Sequence, residues 1–350
     1  GLNSFQIFFC SFYFAFFTFV VNTNFIFYNS ILIYVIEKSQ ELPPVEIKKK
    51  KKFLLYYLAA IGAFLFWGTS FAFGKIVSPN PLSPLSITAF RTLIGTVTLF
   101  LMTVCSGKLK EWLLDFKKNL WKYLIMGICV YSLAFLMEYW ALSYTKASNQ
   151  AILSNTMVIW VVIINFLVFH HKPKKILLVG MLLAIIGAML IMLSEDLTFS
   201  GEYILGDIGT VDEYNVWGFY SAFMAKINAN SNSLFATLST FLWASLFLVP
   251  FSLINGSFQE ICELSLIQWG ATLYLGIICG GIAFWLYNLG LSNKNISSEY
   301  IAFFSLLNPI IGVFSGMILL NEVIPPRAII GILFIISAII ITNKTVGNKD

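Results

Sequence analysis

The sequence predicts an all-α integral membrane protein: ten transmembrane helices arranged as two inverted five-helix repeats. Three observations carry this. Of 350 residues, 58% are hydrophobic and 11% charged, against about 45–50% and about 25% in a soluble globular chain. The apolar residues fall in runs of roughly 20, the length that crosses a bilayer as a helix. Two separated segments of the first half recur in the second half at nearly one offset.

In chain order the expected spans cover about 53–77, 82–104, 120–144, 147–169, 175–194, 203–227, 234–254, 266–290, 297–319 and 325–342. Pro, Asn, Gly or charged residues end each of them, as in "SPNPLSP" (78–84) and "NEVIPPR" (321–327). With these spans, seventeen of the 22 basic residues fall on one side. They are Lys48 to Lys52, Lys108, Lys110, Lys117, Lys118, Lys122, Lys172, Lys174, Lys175, Lys226, Lys294, Lys344 and Lys349. The other side has Lys75, Lys146 and Arg327, beside Glu195, Asp196, Glu202, Asp207, Glu260, Glu263 and Glu322. The positive-inside rule then puts both ends of the ten-helix core in the cytoplasm. A multi-pass protein of a plasma membrane or inner membrane is expected.

Residues 1–47 form an apolar N-terminal extension. It lacks the basic n-region and short apolar core of a secretory signal, and reads as an extra span or a non-native leader. The expected organisation is therefore 1–47 extension, 48–200 first repeat, 201–343 second repeat and 344–350 cytoplasmic tail.

The repeat rests on two comparisons. "FWGTSFAFGKI" (66–76) and "VWGFYSAFMAKI" (216–227) match at Trp67/Trp217, Gly68/Gly218, Ala72/Ala222 and Phe73/Phe223, an offset of 150. "ALSYTKASNQAI" (141–152) and "GLSNKNISSEYI" (290–301) match at Leu142/Leu291, Ser143/Ser292, Ser148/Ser297 and Ile152/Ile301, an offset of 149. Five spans per half is an odd number, so the halves enter the membrane in opposite directions. Inverted repeats are a recurrent build of secondary transporters, with the substrate near the midplane between them.

These segments carry a family resemblance. "FLFWGTSFAFGKI" and the following "SPNPLSPLSITAFRTLI" resemble the start of EamA-like members of the drug/metabolite transporter superfamily. "YWALSYTKASNQAILSNTMVIWVVIINFLV" resembles their third and fourth helices. "NLGLSNKNISSEYIAFFSLLNPIIGVFSGMILLNEVIPPRAIIGILFIISAIII" resembles their last three, with Asn308-Pro309 and the Asn321-Glu322 turn. The resemblance covers about 53–343. It implies a ten-helix carrier of amino acids, other metabolites, drugs or sugar-linked nucleotides. Two departures stand out: "HHKPKK" (170–175) where the family often has Gly-Glu, and Asp212-Glu213 where it has apolar or small residues.

Four charges are expected inside the membrane: Arg91, Glu138, Asp212 and Glu213. A charge at a helix centre costs about 2.5–3.5 kcal/mol on insertion scales, so such groups usually face a cavity or a partner. Glu138, in "AFLMEYWAL", reads as a carboxylate that contacts a substrate amine or carries a proton, or as one half of a structural pair with Arg91. Arg91 and Lys75 read as gating or structural charges, with Lys75 snorkelling to the interface. Asp212 and Glu213 would be a helix cap if the sixth span began near Tyr214. Aligning Trp217 with Trp67 instead places Asp212 about nine residues, roughly 13 Å, inside the span. Glu213 shares a face with Trp217 and Tyr220 and is assigned to the cavity. Asp212 is assigned to a partner or proton path. Asn155, Asn288, Tyr287 and Ser305, with Trp285 and Trp140, complete the expected pocket, although packing is the commoner role for any one aromatic.

Other motifs are decoys. "GTSFAFGKI" has the wrong spacing for a phosphate loop. His170-His171 are adjacent, whereas a helical metal pair needs i, i+4. Gly276 and Gly280 form a GxxxG packing motif. Asn255-Gly-Ser is a glycosylation sequon, usable only in a eukaryotic secretory pathway. The five cysteines are scattered, and no metal site follows from them.

The expectation is a secondary active transporter, exporter or permease, of a small polar or amphipathic metabolite such as an amino acid. It works by alternating access with proton coupling, and needs no cofactor. Its partners are the small-molecule substrate and membrane lipids, with no nucleic acid, in a monomer or homodimer. The alternatives are an integral membrane enzyme acting on a lipid or metabolite, a nucleoside or nucleotide-sugar carrier of the same fold, and a membrane receptor or scaffold.

Overall fold

The computed structural model describes residues 44–78, 80–145, 150–151, 153–192, 203–320 and 326–344. The expectations for residues 1–43, Lys146, Glu195, Asp196, Glu202 and Glu322 lie outside them. Residues 1–55 and 56–350 are two separate units, and the contacts below are within the second.

The protein is all-helical: among the described residues there is no strand. In chain order the helices are α1 (Pro44–Val77), α2 (Pro84–Cys105), α3 (Leu109–Lys118), α4 (Leu120–Tyr144), α5 (Thr156–Phe169), α6 (Lys175–Met192), α7 (Ile204–Asn228), α8 (Ser233–Ile254), α9 (Leu266–Leu291), α10 (Ser298–Ala302), α11 (Leu307–Leu320) and α12 (Pro326–Lys344). Among the described residues, five are long and apolar enough to cross a membrane: Phe53–Val77 of α1, then α2, α4, α8 and α9. Thr156–Phe169, Lys175–Gly187 and Ile329–Thr342 are apolar but shorter. α7 has 25 residues, and Asp207, Asp212, Glu213 and Lys226 set its composition apart.

Local chemistry explains where the helices start. Ser83 caps α2 by accepting from the Ser86 N–H, with Pro84 in the first turn, where its missing N–H costs nothing. Asn232 accepts from Leu234 N–H at the start of α8. Ser265 and Gln268 form a reciprocal capping box on α9. At its other end, α5 stops on His170, whose φ of 55° turns the chain into the left-handed region.

α4 and α9 each contain a π-helical stretch, Ile125–Ser132 and Leu275–Ile282. Both lie where the neighbouring half packs: α8 lies on the stretch in α4, and α2 on the stretch in α9. α2 and α8 also pack on each other, and Thr96 and Ser245 hydrogen-bond across that crossing at 2.7 Å.

Glycine permits the close approach. A Cβ on Gly127 would stand 2.5 Å from the Thr240 carbonyl oxygen and 2.8 Å from Trp243 Cβ. Backbone cannot yield there as a side chain would. Gly127→Val is therefore expected to destabilise the protein by about 1–3 kcal/mol, the usual range for overpacking. Gly270, with nothing within 4 Å of a built Cβ, is the control: Gly270→Ala should leave the melting temperature in detergent unchanged or slightly raised. Equal melting temperatures for both variants would remove this account of the interface.

The bundle has two distinguishable ends. At one, Lys75 Nζ donates to the Leu142 and Thr145 carbonyls (2.6 and 2.9 Å). There also, Thr145 Oγ1 donates to Asp207 (2.6 Å). Glu260 accepts from Ser83 N–H and Ser86 Oγ (2.7 and 2.5 Å). So α1 and α4 finish where α7 begins. The opposite, lysine-rich end gathers α3, the ends of α5, α7 and α9, and the starts of α6, α8 and α10. There Ser231 Oγ donates to Asp115 at 2.8 Å, and Trp112 Nε1 of α3 to Ser239 at 3.0 Å. α3 is amphipathic and falls in a connection that the span reading left unassigned.

Candidate functional site

α1, α2, α4, α7 and α9 converge on a cavity of about 40 Å³ at the heart of the bundle. Its wall is aromatic: Phe64, Trp67, Phe135, Trp217, Phe284 and Tyr287. The repeat-matched Trp67 and Trp217 both lie against Phe284, with centroids 4.6 and 5.5 Å away. Into this wall project Arg91, Glu138, Ser70, Tyr214 and Asn308.

Arg91 is 1% exposed. Its Nη1 meets Glu138 Oε1 at 3.2 Å and donates to Tyr139 Oη at 2.7 Å. Its guanidinium carbon lies 4.2 Å from the centroid of the Phe135 ring, a cation–π placement. The structural partner foreseen for Glu138 is therefore present, and the pair lines the cavity rather than sitting apart from it. Two polar atoms of the wall have no partner among the described residues, the donor Arg91 Nε and the acceptor Asn308 Oδ1. Buried polar atoms without partners are rare and call for an explanation.

Glu213 lies behind Trp217, fully buried. Trp217 Nε1 donates to its Oε1 at 3.0 Å, the i, i+4 relation on one helix face. Gln150 Nε2 donates to its Oε2 at 3.2 Å, and also to the Glu138 carbonyl at 2.9 Å. Gln150 thus ties the two acidic positions together. Trp67, the counterpart of Trp217, instead donates to the Cys279 carbonyl at 2.9 Å, in the π stretch of α9. The halves satisfy matching indoles differently: one with main chain, one with a carboxylate.

The remaining expected residues divide. Asp212 is exposed, on the face of α7 that also exposes Ile208 and Phe219. It lies well inside α7, which starts at Ile204, so neither acid caps the helix. Tyr287 lines the cavity, and its hydroxyl is 2.7 Å from Ser221 Oγ. Asn288 and Tyr220 sit beyond it toward the lysine-rich end. Asn288 Nδ2 donates to Tyr220 Oη and Thr237 Oγ1, both at 2.9 Å, and its Oδ1 accepts from Asn228 at 2.9 Å. Asn155 lines a different, mainly apolar cavity of about 160 Å³ with Leu153, Met181 and Leu306. Neither of its amide atoms has a partner among the described residues. Ser305 is buried in the 3-10 turn Phe303–Leu306. Trp285 is half-buried and Trp140 is exposed. Lys75 remains at the end opposite the lysines, clasping α1 to the C-terminus of α4, where a cation suits the helix dipole.

Gln150, Tyr139 and Phe284 went unremarked in the sequence, and Tyr214 entered only as a possible helix start. Gln150 had a signal: in the 149-residue alignment it stands opposite Glu299, a polar position in both halves. Tyr139 had none beyond its adjacency to Glu138.

Apolar membrane-length helices around a small, buried, charged cavity define a polytopic membrane protein with a polar centre. The model of the EamA-like transporter family matches residues 54–193 and again 215–344, so the chain belongs to that family and contains its unit twice. An uncharacterized transporter of Archaeoglobus fulgidus is 27% identical over 260 residues, 74% of this chain and 86% of that protein. The uncharacterized transporter YetK of Bacillus subtilis is 26% identical over 305 residues, 83% and 88% of the two chains. A solved crystal structure shares the fold, with a TM-score of 0.66 at 16% identity, covering 83% of this chain and 97% of that one. This is an integral, multi-pass membrane transporter.

Proposed function

We propose that the protein is a secondary active transporter of a small polar or amphipathic metabolite, such as an amino acid, held in the cavity between Arg91–Glu138 and Asn308. The observation that carries this reading is the aromatic cavity with a buried ion pair and two unpartnered polar atoms, one donor and one acceptor. A zwitterion or similar solute supplies the complementary groups. The cavity, at about 40 Å³, has room for a few waters and not for a metabolite. The substrate therefore enters as one end of the bundle opens.

The same reading takes the core as ten spans in two inverted repeats, with both core ends in the cytoplasm of a plasma membrane or inner membrane. Matched elements support it: α2 and α8 at an offset of 149, and the two π stretches at 150. Thr96 and Ser245, counterparts at the same 149, bond to each other, as residues beside a two-fold axis do. α1 finishes at the end where its counterpart α7 begins. Rocking one repeat against the other would break the Thr145–Asp207 and Glu260–Ser83 contacts at one end, or the Ser231–Asp115 and Trp112–Ser239 contacts at the other. Glu138 and Glu213 are the groups proposed to exchange a proton or bind the substrate amine.

Purified protein in liposomes should take up amino acids from a tested panel, faster under an imposed pH gradient. Glu138→Gln and Glu213→Gln should each abolish the pH-dependent part. PH-independent flux, unchanged in both variants, would remove the proton or amine role. No uptake above protein-free liposomes across the panel would remove the substrate class.

A further inference from the structure

The connections at the lysine-rich end line a second, larger and open cavity of about 730 Å³. It is built from the α5–α6 turn, the C-terminal part of α7 and the α9–α10 turn. The first of these is the "HHKPKK" segment, for which the transport reading has no use. Lys172, Lys174, Lys226 and Lys294 line this space, and Glu299 is its single acidic residue.

None of the four ammonium groups has a carboxylate within ion-pair distance among the described residues. Lys294 Nζ donates to Asn230 Oδ1 at 3.0 Å. Lys226 Nζ lies 4.8 Å from the Phe169 ring centroid. Glu299, by contrast, is 3% exposed, and its Oε2 has no partner among the described residues. It stands at the start of α10, where Asn165 Nδ2 donates to the neighbouring Ser298 Oγ at 2.8 Å. Glu299 is also the repeat counterpart of Gln150, which serves the central cavity.

The positive-inside rule accounts for the sign of these charges but not for their gathering around one cleft with a buried carboxylate in its wall. A cleft lined by one sign of charge with apolar walls concentrates the opposite ion. Four lysines against one carboxylate leave a surplus of about three positive charges. A monocarboxylate would neutralise little of that; a phosphate monoester brings about −1.5 to −2 and three acceptor oxygens. The volume is in the range of small-molecule pockets, about 300–1,000 Å³. The buried Oε2 of Glu299 in turn asks for a donor.

We propose that this cavity binds a phosphate group whose bearer also carries a hydroxyl or amine, with the lysines on the phosphate and Glu299 on the donor. The bearer is either a free phosphomonoester or the headgroup of an anionic phospholipid, and both present the same chemistry.

The test is equilibrium binding, so it stands apart from any transport assay. The full chain is placed in nanodiscs of phosphatidylcholine and its melting temperature is followed against glycerol 3-phosphate, inorganic phosphate or chloride at fixed ionic strength. Glycerol 3-phosphate is expected to raise it saturably. The triple variant Lys172→Gln/Lys174→Gln/Lys294→Gln, which alters exposed side chains only, should weaken the apparent affinity at least tenfold. Glu299→Gln should weaken glycerol 3-phosphate more than inorganic phosphate. Phosphatidylglycerol discs separate the two sources: a stabilisation lost in the triple variant, with glycerol 3-phosphate no longer bound, identifies the lipid, and undiminished binding identifies the free solute. The proposal is overturned if neither phosphate source discriminates wild type from the triple variant, or if chloride at the same ionic strength has the same effect.

Discussion

Arg91→Met is expected to destabilise the folded protein by about 3–5 kcal/mol, the usual cost of removing one partner from a buried ion pair. The substitution keeps much of the side chain's apolar contact with the Phe135 ring. It removes the cation 3.2 Å from Glu138 and the donor to Tyr139. Glu138 is then a buried carboxylate without a counter-ion among the described residues. The companion variant decides the cause. Arg91→Met/Glu138→Gln removes both charges, and replacing a whole buried pair is often neutral. The double variant should therefore melt well above the single one, in detergent and by the same probe. A single variant as stable as wild type, or a double variant no better than the single, would mean the pair does not hold the cavity together.

Glu213→Gln is expected to do the reverse, sparing the fold and stopping the pH-driven part of transport. The new amide keeps an oxygen for the Trp217 indole. Its NH₂ meets Gln150, whose Oε1 has no partner among the described residues and accepts it once the Gln150 amide turns. Stability should change by no more than about 1 kcal/mol, the net worth of one hydrogen bond. Flux in liposomes should fall at least tenfold if this carboxylate carries the proton or the substrate amine. Glu213→Leu is the contrast. It strands Trp217 Nε1 without an acceptor and leaves Gln150 Nε2 with the Glu138 carbonyl alone, and a buried unsatisfied donor costs about 1–3 kcal/mol. A Gln variant with wild-type flux would confine Glu213 to a structural role.

The asymmetry at Glu213 was visible in the sequence only as a mismatch, since its counterpart in the first half is Ala63. The structure gives the mismatch a partner. Trp67 finds its acceptor in the main chain of a π stretch, at Cys279. Cys129 is the counterpart of Cys279, yet Trp217 turns to Glu213 instead. A π stretch alters the hydrogen-bonding register of a helix and often marks a functional site; nothing in "IMGICVYS" or "LGIICGGI" signals one by composition. Gln150 was equally hidden: its two acceptors lie 12 and 63 residues away in sequence.

Helix placement was legible because hydropathy acts residue by residue along the chain. The expected 203–227, 234–254 and 266–290 differ from α7, α8 and α9 by one residue at one or both ends. The ninth expected span is not one smooth helix but α10, a 3-10 turn and α11, a break that apolar composition cannot register. Asn155 illustrates the harder limit. It lies on an expected span and carries the right chemistry, yet it lines the apolar cavity between α5 and α6.

By itself, then, the sequence determined the class of the protein, most of its helical segments and its duplication. Each of these depends on local composition or on self-similarity, which one chain displays in full. Tertiary structure alone decided which charge meets which. Asp212 and Glu213 are neighbours in sequence, but adjacent helical residues point about 100° apart, and the packing of α7 against α4 and α5 turns one out and the other in. Helix packing likewise brought Arg91 to Glu138, Gln150 to Glu213, and the lysines of two connections and the end of α7 around one cavity.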